Sequence, residues 1–525
     1  MTRMTAPRNG AWVGLGLTAA SAALVALAFP PAGIQPFAWI GLVPLLIALR
    51  SGTTRRAAFF AVVWLVLFAA LVGQWLPRAV STYYQQPRWV GFAFFAGITA
   101  TMGAPYYVAF ALVYRQLARR PTIVMPLLVA AAWTAVELAR GRLFTGSPVF
   151  IGNPWGLLGY SQVGLAPLVQ VASVTGIYGV GFVLVAANAA VAEWWLARRG
   201  DAATRRTAAR SLVVGILPAV LAILFGTIVV QRETGEARDL VPIVVVQGNV
   251  DVGSTWRTNL YGSNLNLYLR LTRTALADRA PRIVFWPEGA FTFFLERHDA
   301  YRQAIASVLA PAGVELVAGG PSTAGPPDAY WNSIFLVTSR GEIRGRYDKE
   351  YLVPFAEFFP LGGVDILRRR FEGARLFVRG THTGPLETVA GKAGIVTCNE
   401  AMLPEVVGTR VADGATYLVN PSNDSWLADE QYSAQQLGIV SMRAVEQRRW
   451  LVRASTSGPS AIVDPWGRVV TRSPALAEAV MSGTIAARDD RTVYGRVGDA
   501  FAMTCGLAVL VALWRSVAGR RPATR

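Results

Sequence analysis

Long apolar stretches in the first 230 residues constrain the fold of this chain more than any other sequence feature. Each is almost free of charged residues, and most are close to or above the ~20 residues that a helix needs to cross a bilayer. The seven stretches are residues 11–29, 34–49, 57–75, 89–114, 122–138, 163–192 and 211–230. They predict seven transmembrane helices, and a shorter apolar stretch at 500–514 predicts an eighth.

The overall composition agrees with a membrane protein. Hydrophobic residues make up 53% of the 525 residues, charged residues make up 16%, and the mean hydropathy is +0.38. These values are too apolar for an ordinary soluble protein. The net charge of +18 is compatible with nucleic-acid binding, but the arginines cluster in short segments between the apolar stretches. We therefore attribute them to anchoring at the cytoplasmic membrane face and expect no nucleic-acid partner.

The distribution of arginine predicts how the chain crosses the membrane. Arg3 and Arg8 precede the first stretch, and further arginines cluster at 198–210 and 515–525, whereas the connections assigned to the other side hold few. The positive-inside rule then places both termini in the cytoplasm and the segment between the seventh and eighth helices outside. The first stretch resembles a signal peptide but lacks a convincing small-residue cleavage site, so we expect it to remain as an anchor.

Residues 231–497 have a different pattern and predict one soluble α/β domain. Charged residues occur throughout, and the short apolar runs are bounded by turn-forming residues, as is typical of buried strands. The predicted strands are 243–246, 283–286, 314–317, 334–337, 394–397, 417–419, 451–454 and 461–463, with helices around 301–309 and 431–448. The chain thus divides into residues 1–230, 231–497 and 498–525, and the last part holds the eighth helix and a cytoplasmic tail.

Three reactive residues follow predicted strands or hairpins in this domain. Glu288 follows the strand at 283–286, Lys349 is one of two lysines in the chain, and Cys398 ends an apolar run. A carboxylate, an ammonium group and a thiol held together can act as base, anion stabiliser and nucleophile. Taken singly, each has a plainer explanation, as a helix cap, a surface charge and a small buried core residue respectively.

The supply of cysteine and histidine argues against other site chemistry. The two cysteines, Cys398 and Cys505, are far apart in the sequence, and the two histidines are His298 and His382. Such a set predicts neither a disulfide framework nor a cysteine zinc site. We expect no metal and no organic cofactor.

Motifs around the three reactive residues resemble those of the carbon-nitrogen hydrolase, or nitrilase, superfamily. The matching segments are WPEGA at 286–290, YDK at 347–349 leading into LVPFAEF at 352–358, CNE at 398–400, NPSNDSW at 420–426 and RAVE at 443–446. The resemblance implies a four-layer αββα sandwich with a Glu-Lys-Cys triad. It makes Glu288 the base, Lys349 the oxyanion stabiliser and Cys398 the nucleophile.

The predicted membrane helices narrow the resemblance to the apolipoprotein N-acyltransferase family. Upstream segments also match that family: ELARG at 137–141, TG at 145–146 and QVASVTGIYG at 170–179. The resemblance implies that Glu357 and Glu400 are acidic residues that support the active site. It also places Trp256 on a loop over the site, on the substrate side.

Two positions depart from the family pattern. Family members often have tyrosine immediately after the nucleophile, where this chain has Asn399, and a histidine near 435–436, where this chain has glutamine. Because Asn399 adjoins the nucleophile on the substrate side, we expect the difference to concern substrate recognition more than the chemistry.

The resemblance implies a monomeric multi-pass enzyme of the bacterial cytoplasmic membrane with an extracytoplasmic catalytic domain. An acyl chain from a phospholipid would pass, by a ping-pong mechanism, through a thioester on Cys398 to the N-terminal amine of a diacylated apolipoprotein. Two alternatives stay open. One is a membrane-tethered amidase or nitrilase acting on an extracytoplasmic substrate, and the other is a transporter or receptor whose external domain only binds ligand.

Two ionisable residues lie near the end of the fifth apolar stretch, where charge is costly. Glu137 and Arg140 are three residues apart, a spacing that brings side chains together on one helix face. We expect them to pair with each other.

Overall fold

A computed structural model of the chain describes residues 9–119, 122–143, 152–232, 239–250, 261–324, 329–358, 377–381, 383–427 and 429–518. The described α-helices are α1 (Asn9–Leu27), α2 (Val43–Arg50), α3 (Thr54–Val72), α4 (Trp75–Tyr83), α5 (Arg88–Met102), α6 (Ala104–Leu117), α7 (Met125–Arg142), α8 (Ala166–Val169), α9 (Ala172–Thr175), α10 (Ile177–Ala197), α11 (Ala202–Arg232), α12 (Tyr261–Asp278), α13 (Asp299–Leu309), α14 (Pro404–Ala412), α15 (Glu430–Gln447), α16 (Val493–Val497) and α17 (Ala500–Ala518). Helices α1 to α11, together with α17, form a helical domain.

Within the described residues, five helical segments are long and apolar enough to cross a membrane. They are Gly10–Leu27, Thr54–Val72, Arg88–Leu117, Ile177–Ala197 and Ala202–Arg232. These segments fit the predicted membrane domain, while the number of seven spans stays a prediction.

Three of the predicted spans are not single helices. The stretch at 89–114 divides at Gly103 into α5 and α6. The stretch at 34–49 divides into a 3₁₀-helix, Gln35–Trp39, and the eight-residue α2. At 1.5 Å per residue, α2 is only about 12 Å long, and Pro44 at its start has no amide hydrogen with which to continue the preceding turn. The stretch at 163–192 likewise contains two four-residue helices before α10 begins at Ile177.

Twelve described strands form two six-stranded sheets. They are β1 (Val241–Gln247), β2 (Ile283–Phe285), β3 (Glu315–Thr323), β4 (Tyr330–Val337), β5 (Ile343–Asp348), β6 (Leu386–Thr388), β7 (Gly391–Ile395), β8 (Tyr417–Ser422), β9 (Leu451–Ser455), β10 (Ala461–Val463), β11 (Val469–Arg472) and β12 (Ala479–Ile485). The strand orders are β12-β1-β2-β3-β4-β5 and β11-β10-β9-β8-β7-β6. Strands β1, β2 and β3 run parallel, as do β7, β8 and β9, so their carboxyl ends lie together at one edge of each sheet.

The two sheets pack face to face between layers of helices. Apolar residues from both sheets, such as Val245 and Val419, form one core between them. The outer face of the first sheet packs on α12 and α13, and the outer face of the second packs on α14 and α15. This arrangement confirms the predicted αββα sandwich joined to a helical membrane domain.

Buried polar contacts fix the sandwich on the helical domain. Glu446 on α15 accepts hydrogen bonds from the Ile177 amide at 2.9 Å and from Arg443 at 2.9 Å. Arg142 on α7 pairs with Glu405 of the sandwich and with Asp499, which precedes α17. Glu446 and Arg443 are fully buried, whereas Arg142 and Glu405 are half-buried. Removing a partner from a buried charge is costly, so the contact of Glu446 with Ile177 holds the two domains in a fixed relation.

Candidate active site

Cys398 lies where the segment after β7 turns into a 3₁₀-helix, Cys398–Met402. Its φ of 51° is in the left-handed region, which costs of order 1–3 kcal/mol for a residue with a side chain. The side-chain amide of Asn420 donates to its carbonyl at 3.1 Å. The sharp turn directs the chain so that Cys398 lines a small pocket.

Glu400, two residues later, is fully buried and faces away from that pocket. The hydroxyl of Tyr347 donates to both of its carboxylate oxygens at 2.9 Å. The backbone amides of Glu350, Tyr351 and Thr397 donate to it at 2.9, 3.0 and 2.8 Å. Glu400 therefore ties the segment after Lys349 to the segment before the cysteine.

Glu288 follows β2 and is held by donors on both carboxylate oxygens. The Asn423 amide donates to Oε2 at 2.8 Å, and the side-chain amide of Asn332 donates to Oε1 at 2.6 Å. Gly319 on the neighbouring strand passes directly behind the residue, where a Cβ would lie 2.7 Å from the Glu288 Cα. The carboxylate thus has a fixed position at the pocket wall.

Lys349 follows β5, and its ammonium group lies between two carboxylates. Its Nζ is 2.9 Å from Glu357 Oε1 and 3.4 Å from Glu288 Oε1, and the residue is 1% exposed. Burial alone would lower the pKa of Lys349, but Glu288 and Glu357 outweigh that effect and raise the pKa well above its ordinary value. The lysine is therefore a fixed positive charge in the pocket.

The thiol of Cys398 is held in its protonated form. Burial, followed by the negative charge of Glu288, raises the pKa of Cys398 to about 12, although Lys349 opposes the shift. At neutral pH a nucleophilic thiolate therefore has to be generated by proton transfer within the site.

The three predicted triad residues line one pocket of about 60 Å³, together with Glu357, Asn332 and Asn423. Beside it lies a cavity of about 620 Å³ with mainly apolar walls from α3, α4, α5 and the segment 353–356. Four residues line both spaces, and we call them the neck: Val353, Ala356, Asn399 and Trp426. The neck therefore forms the boundary between the reactive pocket and a cavity among the membrane helices.

The expected pairing of Glu137 with Arg140 is wrong. Glu137 accepts a hydrogen bond from the Leu158 amide at 2.8 Å, and Arg140 donates to the Trp155 carbonyl at 2.7 Å. Both side chains are thus bound by the backbone of the described segment 152–158. Within the described part of the chain, Nε and Nη2 of Arg140 are buried without a hydrogen-bond partner, and Arg140 lines the large cavity.

Several residues of the site carried no separate signal in the sequence. Asn332 donates to Glu288 and also to Glu357 at 2.8 Å, but nothing around it in the sequence distinguishes it from other strand residues. Asn423 lies within the NPSNDSW segment, which the family resemblance indicated only as a whole. Trp256 lies outside the described residues.

The described residues contain no group of three or more His, Cys, Asp and Glu side chains placed to hold a metal ion. The charged groups around Cys398 are instead arranged around one another, as the contacts of Lys349 show. What the site can do chemically rests on these side chains.

Two family models match separate parts of the chain. The model described as "Apolipoprotein N-acyltransferase N-terminal domain" matches residues 21–190, and the model described as "Carbon-nitrogen hydrolase" matches residues 245–492. These ranges correspond to the helical domain and the αββα sandwich.

Curated relatives match over nearly their whole length. An apolipoprotein N-acyltransferase of Geobacter metallireducens is 32% identical over 505 residues, which cover 94% of each chain. One of Rhodopseudomonas palustris is 30% identical and covers 96% of this chain and 94% of the relative.

Among solved structures, an amidase from Nesterenkonia sp. AN1 matches with 18% identity and a TM-score of 0.36, over 50% of this chain and 98% of the amidase. The NitFhit protein of C. elegans matches with 20% identity and a TM-score of 0.40, over 55% of this chain and 66% of that protein.

Proposed function

The chain belongs to the apolipoprotein N-acyltransferase family, and we propose that it transfers an acyl chain from a phospholipid through a thioester on Cys398 to a lipoprotein amine. The acceptor is the N-terminal amine of a diacylglyceryl-cysteine. The observation that carries this proposal is the neck, whose residues border both the pocket of Cys398 and an apolar cavity among the membrane helices. A small soluble amide would have no need of such a cavity, whereas an acyl chain requires one.

In the first half-reaction, Glu288 takes the proton of the Cys398 thiol, and the thiolate attacks the ester carbonyl carbon. Lys349 stabilises the oxyanion, and its contact with Glu357 keeps the ammonium group in position. The carbon–oxygen bond then breaks, Glu288 returns the proton to the leaving oxygen, and a lysophospholipid departs. The acyl chain stays on sulfur as a thioester.

In the second half-reaction, the acceptor amine attacks the thioester carbonyl. Glu288 accepts a proton from the amine, the carbon–sulfur bond breaks, and the sulfur leaves as a thiolate that regains the proton from Glu288. The product is an amide. The buried surroundings of Cys398 and Lys349 favour this outcome over hydrolysis because they limit the access of water.

Arg140 adds a charge to the otherwise apolar cavity. Its two unpartnered donors are buried at the cavity wall within the described structure, and a buried donor without an acceptor is costly. A phosphate or an ester carbonyl of the donor lipid would satisfy them. We therefore assign Arg140 to binding of the polar part of the phospholipid.

We also propose that the αββα domain lies outside the cytoplasm. Helix α10 begins at Ile177, which contacts Glu446 of the sandwich, and ends just before Arg198 and Arg199. Its 21 residues span about 32 Å, close to the thickness of the bilayer core. The arginines therefore lie about one bilayer away from the sandwich, at the face that positive residues prefer.

Acylation of the purified protein tests the proposed chemistry. Incubation with a phospholipid of defined acyl chains should add the mass of one acyl chain to the peptide that holds Cys398, and hydroxylamine should remove it. Cys505→Ala, which changes the other cysteine, should be acylated like the wild type, whereas Cys398→Ala should not. A thiol that stays reactive but takes up no acyl chain would refute the thioester.

Addition of an acceptor peptide then separates transfer from hydrolysis. With a diacylglyceryl-cysteine peptide, the adduct should disappear as the triacylated peptide forms. Release of free fatty acid at the same rate with and without the peptide would instead favour a hydrolase.

Impermeant labelling tests the orientation. In a Cys398→Ala, Cys505→Ala background, a single cysteine placed at Gly384 in the sandwich should react with an impermeant maleimide in spheroplasts. A single cysteine placed at Arg206 should react only after lysis, and the reverse pattern would refute the proposed orientation.

A further inference from the structure

Asn399 occupies a distinctive position, between the nucleophile and the lipid cavity. Its side chain lines both the small pocket and the large cavity, and it is the neck residue that carries a carboxamide. A carboxamide has an oxygen that accepts and a nitrogen that donates. The orientation of the Asn399 carboxamide therefore decides whether its oxygen or its nitrogen is presented to a lipid at the neck.

A chain of hydrogen bonds within the sandwich fixes that orientation. Arg453 on β9 is 0% exposed and donates to the Gln436 Oε1 at 2.7 Å. Because arginine can only donate, this bond makes Oε1 the end of Gln436 that faces Arg453. The Gln436 amide nitrogen is then turned toward Asn399, and it donates to the Asn399 Oδ1 at 3.3 Å.

Arg453 is itself firmly held. Its guanidinium donates to Asp424 Oδ2 at 2.6 Å and to the Pro459 carbonyl at 3.2 Å, and it also donates to the Asn420 Oδ1. A fully buried cation with three further acceptors has no alternative position. The direction of the amide of Gln436 is therefore set by a fixed charge.

A second donor acts on the same oxygen of Asn399. The hydroxyl of Tyr432 lies 3.3 Å from the Asn399 Oδ1. Burial is the main cause that raises the pKa of Tyr432 well above its ordinary value, so the hydroxyl keeps its proton and can donate. Both neighbours thus hold the carboxamide with its oxygen inward.

The carboxamide nitrogen of Asn399 is the end left over. Within the described residues it makes no hydrogen bond, while the side chain borders both spaces of the neck. We propose that this nitrogen donates a hydrogen bond to an ester carbonyl oxygen of the acyl donor during formation of the thioester. Gln436 and Arg453 act as positioning residues that keep the donor turned toward the neck. The inference rests on the proposed phospholipid chemistry and adds a substrate-binding residue to it.

Two substitutions at Asn399 test the donor directly. Asn399→Ala removes it and should slow acylation of Cys398 by a phospholipid about 3- to 10-fold, the effect of one neutral hydrogen bond. Asn399→Asp has nearly the same shape but presents carboxylate oxygens to the carbonyl, and it should slow acylation about 100-fold, the upper end for an unsatisfied charged group. The rates are measured in single turnovers by intact-protein mass.

Methyl methanethiosulfonate supplies the control, because it modifies a thiol and contains no carbonyl. It should modify Cys398 at the wild-type rate in Asn399→Ala. In Asn399→Asp the added carboxylate lies beside the thiol and disfavours the thiolate, so the acylation rate of that variant is compared after division by its rate of modification. If the wild type forms no acyl adduct at all, the proposed function itself fails. If the wild type is acylated and both Asn399 variants are acylated as fast as the wild type, the proposed function stands and only the role of Asn399 is overturned.

Gln436→Glu tests the positioning. The new carboxylate still accepts from Arg453 but cannot donate to Asn399, so the carboxamide should turn its nitrogen inward and lose the donor at the neck. Acylation should slow about 3- to 10-fold in this variant. In the Asn399→Ala background the same change should have no further effect, because the group it positions is absent. If Gln436→Glu slowed acylation equally in the wild-type and Asn399→Ala backgrounds, the positioning role of Gln436 would be overturned.

Gln436→Met provides a second variant of similar size if Gln436→Glu lowers the thermal stability. It leaves Asn399 without the Gln436 donor and should slow acylation in the wild-type background but not in Asn399→Ala.

Acyl donors with one ester and with two esters then show which carbonyl Asn399 binds. If Asn399→Ala slows acylation by a monoacyl lysophospholipid as much as acylation by a diacyl phospholipid, Asn399 binds the carbonyl of the reacting ester. If only acylation by the diacyl lipid is slowed, Asn399 binds the carbonyl of the second ester. If acylation is normal and only the transfer to the amine is slowed, the inference is wrong.

Discussion

Asn332 is the residue on which the charge balance of the candidate site depends. Two carboxylates, Glu288 and Glu357, surround the single ammonium group of Lys349, and the Asn332 amide nitrogen donates to one oxygen of each carboxylate, at 2.6 and 2.8 Å. A neutral donor thus stabilises the carboxylate charge that the lysine does not balance. Asn332→Asp keeps the shape of the side chain but replaces this donor with a third carboxylate.

The size of the effect follows from these distances. Two like charges about 2.7 Å apart repel by about 6 kcal/mol at an effective dielectric constant of about 20, equivalent to about four pH units. Uptake of one proton relieves the repulsion, since a carboxylic acid donates where the amide donated before. The hydrogen bond of that acid adds about 2 kcal/mol to the preference for the protonated state, so proton uptake is favoured by about 8 kcal/mol in all, or about six pH units. Counted from about pH 4, where an ordinary carboxylic acid loses its proton, the half-reaction needs a pH about three units above neutral.

Acylation of Cys398 is the appropriate assay because the proposed reaction requires Glu288 in its ionised form. At neutral pH the Asn332→Asp variant should react about 10²- to 10³-fold more slowly than the wild type, and its rate should recover as the pH rises. Asn332→Leu, which loses the donor without adding charge, should be slow at every pH. If Asn332→Asp had the pH profile of the wild type, or lost activity without recovery, the charge argument would be refuted.

Three further outcomes are expected. In the wild type, the rate at which methyl methanethiosulfonate modifies Cys398 should rise about tenfold per pH unit to about pH 10, because the pKa of this thiol is about 12; a plateau near pH 9 would contradict the raised pKa. Gly319→Ala should abolish acylation and lower the free energy of unfolding by about 1–3 kcal/mol, since its Cβ would lie 2.7 Å from the Glu288 Cα. In Gly262→Ala the added Cβ meets no described atom within 4 Å, and because Gly262 lies in α12, alanine should leave acylation unchanged and should not lower the free energy of unfolding. Arg140→Met should raise the KM for phospholipid about tenfold through loss of its donors while leaving the reaction of Cys398 with methanethiosulfonate unchanged, and an unaltered KM would exclude Arg140 from lipid binding.

The sequence predicts the strands of the sandwich core well because buried parallel strands have a strong apolar pattern. The eight predicted strands all correspond to described strands, although the run at 394–397 belongs to a strand that already ends at Ile395. Four described strands, β5, β6, β11 and β12, are not among the predicted ones. Strands such as Val469–Arg472 lie at sheet edges and are largely exposed, so no alternation of buried and exposed residues distinguishes them from loops.

Site residues that lie within a recognisable sequence motif were predictable from the sequence. Residues that reach the site through the pairing of strands were not. Glu288, Lys349 and Cys398 each lie in a recognisable segment, and the structure brings them into one pocket. The role of Asn332 depends on the register of β4 with β5, which places Asn332 beside Lys349. The backbone amide of Lys349 donates to the backbone carbonyl of Asn332 at 2.8 Å. Register of this kind is set by the whole sheet.

The 3₁₀-helix that begins at Cys398 explains how one short segment can serve three needs. A 3₁₀-helix has three residues per turn, so consecutive side chains point in directions about 120° apart. Cys398 accordingly lines the reactive pocket, Asn399 lines the neck toward the lipid cavity, and Glu400 turns into the sandwich and binds the segment that follows Lys349. A change at the middle position can therefore alter the boundary of the large cavity while Cys398 and Glu400 keep their places.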